Sequence, residues 1–383
     1  MRIKMLTIWN ATDGASLHAE LVAREWLKTN SLTVFAPTLE SMKKHWAHLS
    51  IRADEDFVIR GFEQTWGKPG WIDDGVAAND CDVLVVEALD RMPVRKLVEV
   101  FSSIKAKKVQ VIHEWTLPDI PGYFDLNFDA IVCFDHRYRT MLLEKHPLEK
   151  IHIIPYPCHP ESQGSKQRAR KILELPDDKI ILFSFGRQPL FEYDDYLWLV
   201  DELAREMDLI YLVIRSDDEE YFDNVNHKFK TASCCELRFE RPDIDRLYDY
   251  LHAADVHLIP KAPSDNIVVS STILQTLGSG TPAVIIDSRY VELHGDEVIK
   301  YRPGDRAHLR SQVLRVLKDE VFRRETLEGA RKYVNENDAM KISRRFLELF
   351  QSLTQKDIVD FKPLRGDGSR AFDKEGAPWT GTP

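Results

Sequence analysis

Long apolar runs are missing from this chain. None approaches the roughly 18 residues that a membrane-crossing helix needs. The N-terminal MRIKMLTIWN passes straight into strand-like alternation, with no signal-peptide core. Cysteine is scarce as well: Cys81, Cys133, Cys158, Cys234 and Cys235 are an odd, scattered set in 383 residues. Cys234 and Cys235 are adjacent, which is poor geometry for a disulfide, and no spacing suits a metal site. A disulfide scaffold is therefore excluded, no metal is expected, and a reducing, cytoplasmic setting is the simple reading. Basic charge is also in deficit, with 52 Lys and Arg against 62 Asp and Glu, a formal charge of -10. Phosphate backbones demand a basic surface, so broad nucleic-acid binding is excluded. A small anionic ligand is not, because it needs only a local cluster of cations.

What the chain does have is a folded, soluble composition, 43% hydrophobic and 30% charged, in a length too great for one ordinary core. Short apolar runs alternate with amphipathic stretches: IKMLTIW, LTVFAP, CDVLVVEAL, KVQVIHEW, DAIVCFD and IHIIPYP, then KIILFSFG, LIYLVIRS, CELRFER, ADVHLIP and PAVIID. Helical patterns lie between them, including 18–28 and 94–108. Strands this short and apolar, separated by helices, predict parallel sheets covered on both faces. The polar, proline-rich segment after Tyr156 reads as a crossing between two such units. The expectation is an α/β protein of two Rossmann-like doubly wound domains facing across a cleft. The domains span 1–157 and 158–340, followed by a helix crossing back and an extended tail over 341–383.

Open parallel sheets bind ligands where strand ends meet loops and helix starts. After the first strand, TDGASLH offers Gly14 for close backbone approach, with His18 on the first helical turn. His18 reads equally as a ligand contact or as an ordinary histidine on a capped helix. His113 and Glu114 end another strand, and His113 suits either a ligand or the backbone nearby. Arg187, at the end of a strand in FSFGR, has the planar fork that a diphosphate fits, or could pair with Glu192 or Asp194. The segment from Lys261 through Asn266 to Ser270, Ser271, Thr272 and Gln275 places a cation, an amide and several hydroxyls around a helix start, where an anion can be met. Small residues there would equally let the helix lie close to the sheet. DID at 243–245 resembles a metal-binding D-x-D, but helix capping explains it more cheaply, and DED at 54–56 and DD at 217–218 read as solvated helix starts or loops.

The order of these features resembles the retaining glycosyltransferases of the GT-B fold, in the broad class of hexosyl- and mannosyltransferases known as family four, over residues 1 to 355. DGASLHAELVAREWL resembles the family's Gly-rich loop and helix, FSFGR its Gly-Arg, and LGSGTPAVIIDSRYVELHGDEVIKYRPGD its stretch from A-S-G-T-P to p-G-D. The resemblance implies transfer of a sugar from a UDP- or GDP-linked donor with retention and without an essential metal or other cofactor. It also implies roles. Gly14 would approach the donor phosphate and His113 the transferred sugar. Arg187 would neutralise the departing diphosphate, and the helix near Ser270 would cradle it. His18, Asn266, Ser271 and Gln275 complete the expected donor contacts. Glu292 matches a later glutamate of the family. The sequence departs from the pattern where the family has two glutamates: Ile267 and Gln275 stand there. Glu192 replaces a basic residue after Gly-Arg, and Lys261 is the candidate to supply that charge.

The acceptor, whether sugar, lipid or small molecule, and the oligomeric state are not readable from the residues. The stretch SMKKHWAHLSIR reads either as a peripheral membrane or acceptor contact or as a solvated helix with Trp46 packed inward. The competing functional readings are a non-catalytic GT-B scaffold that binds a nucleotide or partner protein, a nucleotide-sugar epimerase and a sugar phosphorylase. A dinucleotide dehydrogenase is disfavoured because TDGASLH lacks G-x-G-x-x-G.

Overall fold

The computed structural model describes residues 1–44, 52–186, 190–215, 229 and 234–359. The first domain begins with β1 (Arg2–Leu6), whose run of buried residues allows packing on both faces. Asp13 caps α1 (Gly14–Leu27) by accepting from the Ala15 amide at 2.9 Å. β2 (Ser31–Pro37), α2 (Leu39–Lys44), β3 (Val58–Phe62), β4 (Val83–Glu87), α3 (Val94–Phe101), β5 (Lys107–Val111), β6 (Ala130–Cys133), α4 (His136–Leu142) and β7 (Ile151–Ile153) follow. Their strands form one parallel sheet ordered β3-β2-β1-β4-β5-β6-β7.

The second sheet is ordered β10-β9-β8-β11-β12-β13, again parallel. It comprises β8 (Ile180–Gly186), β9 (Leu209–Arg215), β10 (Cys235–Phe239), β11 (Val256–Ile259), β12 (Ala283–Ile286) and β13 (Ile299–Tyr301). α5 (Lys166–Ile172) precedes these strands, and between and after them run α6 (Asp194–Leu203), α7 (Ile244–Ala253), α8 (Ser271–Thr276), α9 (Arg306–Lys318) and α10 (Glu320–Glu336). Finally α11 (Ala339–Val359) returns to the first domain. Ser343 Oγ donates to the Val22 carbonyl of α1 at 3.1 Å, and Trp26 Nε1 donates to the Ser343 carbonyl at 3.3 Å. The two crossings between domains touch: the Cys158 amide donates to the Asn337 carbonyl at 2.7 Å.

The local expectations need two corrections. The helix expected over 94–108 stops at Phe101, because Lys107 and Lys108 pair with Val83 and Leu84 in the sheet ladder. The group 54–56 is not simply solvated. Asp54 holds Arg60, and Glu55 accepts from Trp9 Nε1 at 3.0 Å and from Arg24 at 2.5 Å. By contrast Asp243 does cap α7, accepting from the Arg246 amide at 2.9 Å. All five cysteines are free thiols. No helix among the described residues is long and apolar enough to cross a membrane. The pair at 217–218 and most of the 41–52 stretch, Trp46 included, lie outside the described residues.

Candidate ligand cleft

In each sheet the strand order reverses once, between β1 and β4 and between β8 and β11. Such switch points leave a crevice beyond the strand ends, where α/β proteins bind ligands. Here the two crevices open on one another and share a cleft of about 540 Å³. The first domain lines it with the loop after β1, including Thr12, Asp13 and Gly14. The second contributes Phe185 and Gly186 at the end of β8, Lys261 after β11, and Ser271, Thr272 and Gln275 from α8. The two walls come very close at Gly14, where a Cβ would lie 3.1 Å from Ser271 Oγ. A side chain at 14 would require Ser271 to give way by a few tenths of an ångström, at the point where the domains share the cleft.

Of the residues singled out from sequence, Gly14, Lys261, Ser271 and Gln275 meet in this cleft. Lys261 is largely buried, and burial lowers its pKa while the nearby Glu192 carboxylate opposes the shift. Glu192, which also lines the cleft, is raised by burial against the Ala262 amide and Lys261. Lys261, from the loop after β11, thus faces Glu192 across the cleft wall. Arg187 lies outside the described residues.

His18, His113, Ser270 and Asn266 are not among the residues that line the cleft. Ser270 is the buried N-cap of α8, its hydroxyl accepting from the Ile273 amide, so the cap occupies the group expected to meet a ligand. Asn266 is exposed on the preceding loop, its amide donating to Ser264 Oγ at 3.2 Å. His18 is wholly buried because its helix face packs into the domain core, against the rings of Phe134, Tyr156 and Phe346.

His18 and His113 instead flank one buried carboxylate. His18 Nδ1 is 3.0 Å from Glu87 Oε1, and His113 Nε2 is 3.3 Å from Oε2. Their three candidate ligand atoms all lie within 4.8 Å of one another. Burial alone would raise Glu87, but His18 and the hydrogen bonds from both histidines outweigh it and hold the carboxyl at about 2. Burial lowers His18, against the pull of Glu87. Glu87 therefore remains ionised and orients both rings.

Sequence reasoning missed a second network. Arg91, in the LDRMP turn after β4, donates to Asp13 Oδ1 at 2.7 Å. Its neighbour Asp90 is raised to about 7 by burial and then by Glu114, with Arg91 opposing. Glu114 accepts from the Asp90 amide at 3.1 Å and from Tyr123 Oη at 2.8 Å. The adjacent pair His113-Glu114 at a strand end was the available signal, but only folding brings Asp90 to it. Glu292, matched to the family's later glutamate, pairs across the domains with Arg137 at 2.5 Å.

No family model matches the chain. Solved structures of similar shape are nevertheless numerous. Alr3699/HepE from Anabaena, solved with UDP and glucose, superposes with a TM-score of 0.66 at 15% identity, covering 92% of this chain and all of that one. A sucrose-phosphate synthase from Thermosynechococcus elongatus gives 0.64 at 13%, covering 93% and 100%. The E. coli protein described as trehalose-6-phosphate, bound to UDP-2-fluoro glucose, gives 0.65 at 10%, covering 91% and 99%. At these identities the likeness speaks to architecture, and it agrees with the strand orders: the fold is two Rossmann-like domains facing across a cleft, the GT-B arrangement, with a helical C-terminus.

Proposed function

We propose that the protein is a glycosyltransferase that moves a sugar from a UDP- or GDP-linked donor to an acceptor with retention. The observation that carries this reading is the meeting of Gly14, Lys261, Ser271, Thr272 and Gln275 in one cleft between the two switch points. A departing diphosphate needs its growing negative charge met by groups already in place. Lys261 is held in a partly dry wall, where its attraction for a phosphate exceeds that in water. By the sequence resemblance, Arg187 is assigned the same task. Ser271 and Thr272 offer hydroxyls, and the Gln275 amide takes the place of a ribose-binding carboxylate. The resemblance assigns His113 to the transferred sugar, although the ring stands beside Glu87 and outside the cleft lining. UDP-sugar complexes among the similar structures support the donor class.

A second reading, a scaffold that binds a nucleotide without turnover, is favoured by Ile267. That side chain packs against the core where the family pattern places a glutamate. One experiment separates the two. Thermal unfolding is followed with UDP, GDP, ADP and their sugar conjugates, and donor turnover is measured as nucleotide release. A ligand at about 100 times its Kd adds roughly 2.7 kcal/mol, a Tm rise of about 2–4 °C. One base should produce that rise, Lys261→Ala should lose most of it, and the matching nucleotide sugar should turn over. A rise without turnover favours the scaffold, and no rise with any nucleotide overturns both.

A further inference from the structure

Outside the cleft, the first domain exposes aromatic surface that its core does not use. After β3 the chain doubles back, the Glu63 amide donating to the Trp71 carbonyl at 3.0 Å and the Trp71 amide to Glu63 Oε2 at 3.0 Å. At the tip, Trp66 has φ +52° and Gly67 φ +75°. A left-handed backbone at a bulky residue costs on the order of 1 kcal/mol or more and persists only where neighbours enforce it. Here the Thr65 and Trp66 amides both donate to the Arg91 carbonyl, at 2.9 and 3.4 Å. The Trp66 indole lies 5.2 Å from the Arg91 guanidinium. A Cβ on Gly67 would come 2.7 Å from Ile120 Cγ2, so the tip is packed on the connection after β5. Despite these restraints the Trp66 indole is 41% exposed. Trp71 on the same loop and Trp115 on the adjoining connection are 47% and 59% exposed.

Trp66 is linked to the cleft wall through one arginine. The guanidinium beneath Trp66 donates to Asp13, which lines the cleft. Charge narrows the occupant. The cleft-lining Arg24 and Arg52 both pair with Glu20, and Arg24 also with Glu55, while Arg91 is held by Asp13. Asp90 and Glu114 add further acidic groups behind them. With these arginines already paired to carboxylates, the face offers phosphate groups and anionic bilayers few free cations. It suits a polyhydroxylated, uncharged ligand whose C–H faces lie on an indole while its hydroxyls reach carboxylates.

We propose that the acceptor is a neutral oligosaccharide, held across Trp66 so that its terminal sugar enters the cleft past Asp13. The proposal rests on the glycosyltransferase reading. In the transfer, an acceptor hydroxyl oxygen bonds to the donor's anomeric carbon as the bond from that carbon to the diphosphate breaks. The diphosphate keeps the electron pair and takes up the hydroxyl proton.

The test uses the full chain and the nucleotide sugar that most stabilises it. Nucleotide release is measured with maltohexaose, cellohexaose, chitohexaose or mannohexaose, with glucose 6-phosphate, and with phosphatidylglycerol vesicles. At least one neutral hexasaccharide should accelerate release, and glucose 6-phosphate and vesicles should not. Trp66→Ala should raise the saccharide KM about tenfold with kcat within about twofold, and Trp66→Phe should fall between. Both variants should keep the nucleotide-induced Tm rise, which shows that they fold. Acceleration by glucose 6-phosphate or vesicles alone, by none of these probes, or an unmoved KM overturns the proposal. If the nucleotide Tm rise survives in that case, the donor reading stands and only the acceptor assignment fails. Absence of any nucleotide effect sinks the donor reading itself.

Discussion

Asp90 shows how a single residue acquires properties its neighbours in sequence do not foretell. Burial and the Glu114 carboxylate raise it to about 7. Between the ordinary aspartate range and that value, the folded protein holds a proton that the unfolded chain has lost. Stability should therefore fall as pH rises through this window. In Asp90→Asn the amide mimics the protonated form. Denaturant unfolding at pH 5 and pH 8 should show a smaller loss in the variant, by on the order of 2 kcal/mol once residual solvent access is allowed for. Equal pH slopes would mean that Asp90 titrates normally. Glu87 is the opposite case, a buried carboxylate kept low because two histidines face it. Position decides, not residue type: both carboxylates follow an apolar strand run, but Glu87 is faced by two imidazoles, while beside Asp90 a second carboxylate and burial outweigh Arg91.

At the scale of elements, the decisive contact joins α1 to α11. Trp26 meets Phe346 and Phe350 edge-on, with ring centroids 5.6 and 5.2 Å apart. Phe346 also reaches the His18 ring at 5.8 Å, so the returning helix helps close the back of the His18-Glu87-His113 cluster. Phe346 is fully buried, and Phe346→Ala should cost about 3–5 kcal/mol in chemical denaturation. A cost under about 1 kcal/mol would show that α11 is not firmly docked. The amphipathic run AMKISRRFLELFQSL was readable as a helix. Where α11 would dock was not readable, because its partner lies more than 300 residues earlier. Boundaries failed for the same reason: Ser102 and Ser103 weaken α3, and the ladder with β4 then claims Lys107 and Lys108.

For the whole molecule, Arg137 acts as a clasp between domains. Held by Asp135, it donates to the Arg289 and Val268 carbonyls at 2.8 and 3.2 Å and pairs with Glu292. Its side chain is only 8% exposed, so the pair is less screened than an ordinary surface bridge. Arg137→Ala should open the cleft, seen as a larger radius of gyration in solution scattering without ligand. Nucleotide affinity should fall about three- to tenfold, because the competent arrangement is then populated less. An unchanged radius and affinity would show that the clasp does not set the opening.

The sequence by itself determined the two parallel α/β units and the strand ends where a ligand would bind. Strand periodicity, Gly14 at the first turn and the run from Lys261 to Gln275 are local properties, and local properties survive in a linear string. Only the tertiary structure decided which candidates share the cleft. Lys261 joined Glu192 there and Gly14 came against Ser271, while His18 turned into the core and Ser270 was spent on its own helix. It also brought Arg91, after β4, between Trp66, after β3, and the cleft-lining Asp13. Burial, pairing of charges and the distance between loops depend on which strands lie side by side. That order is set by packing across hundreds of residues, and no single segment records it.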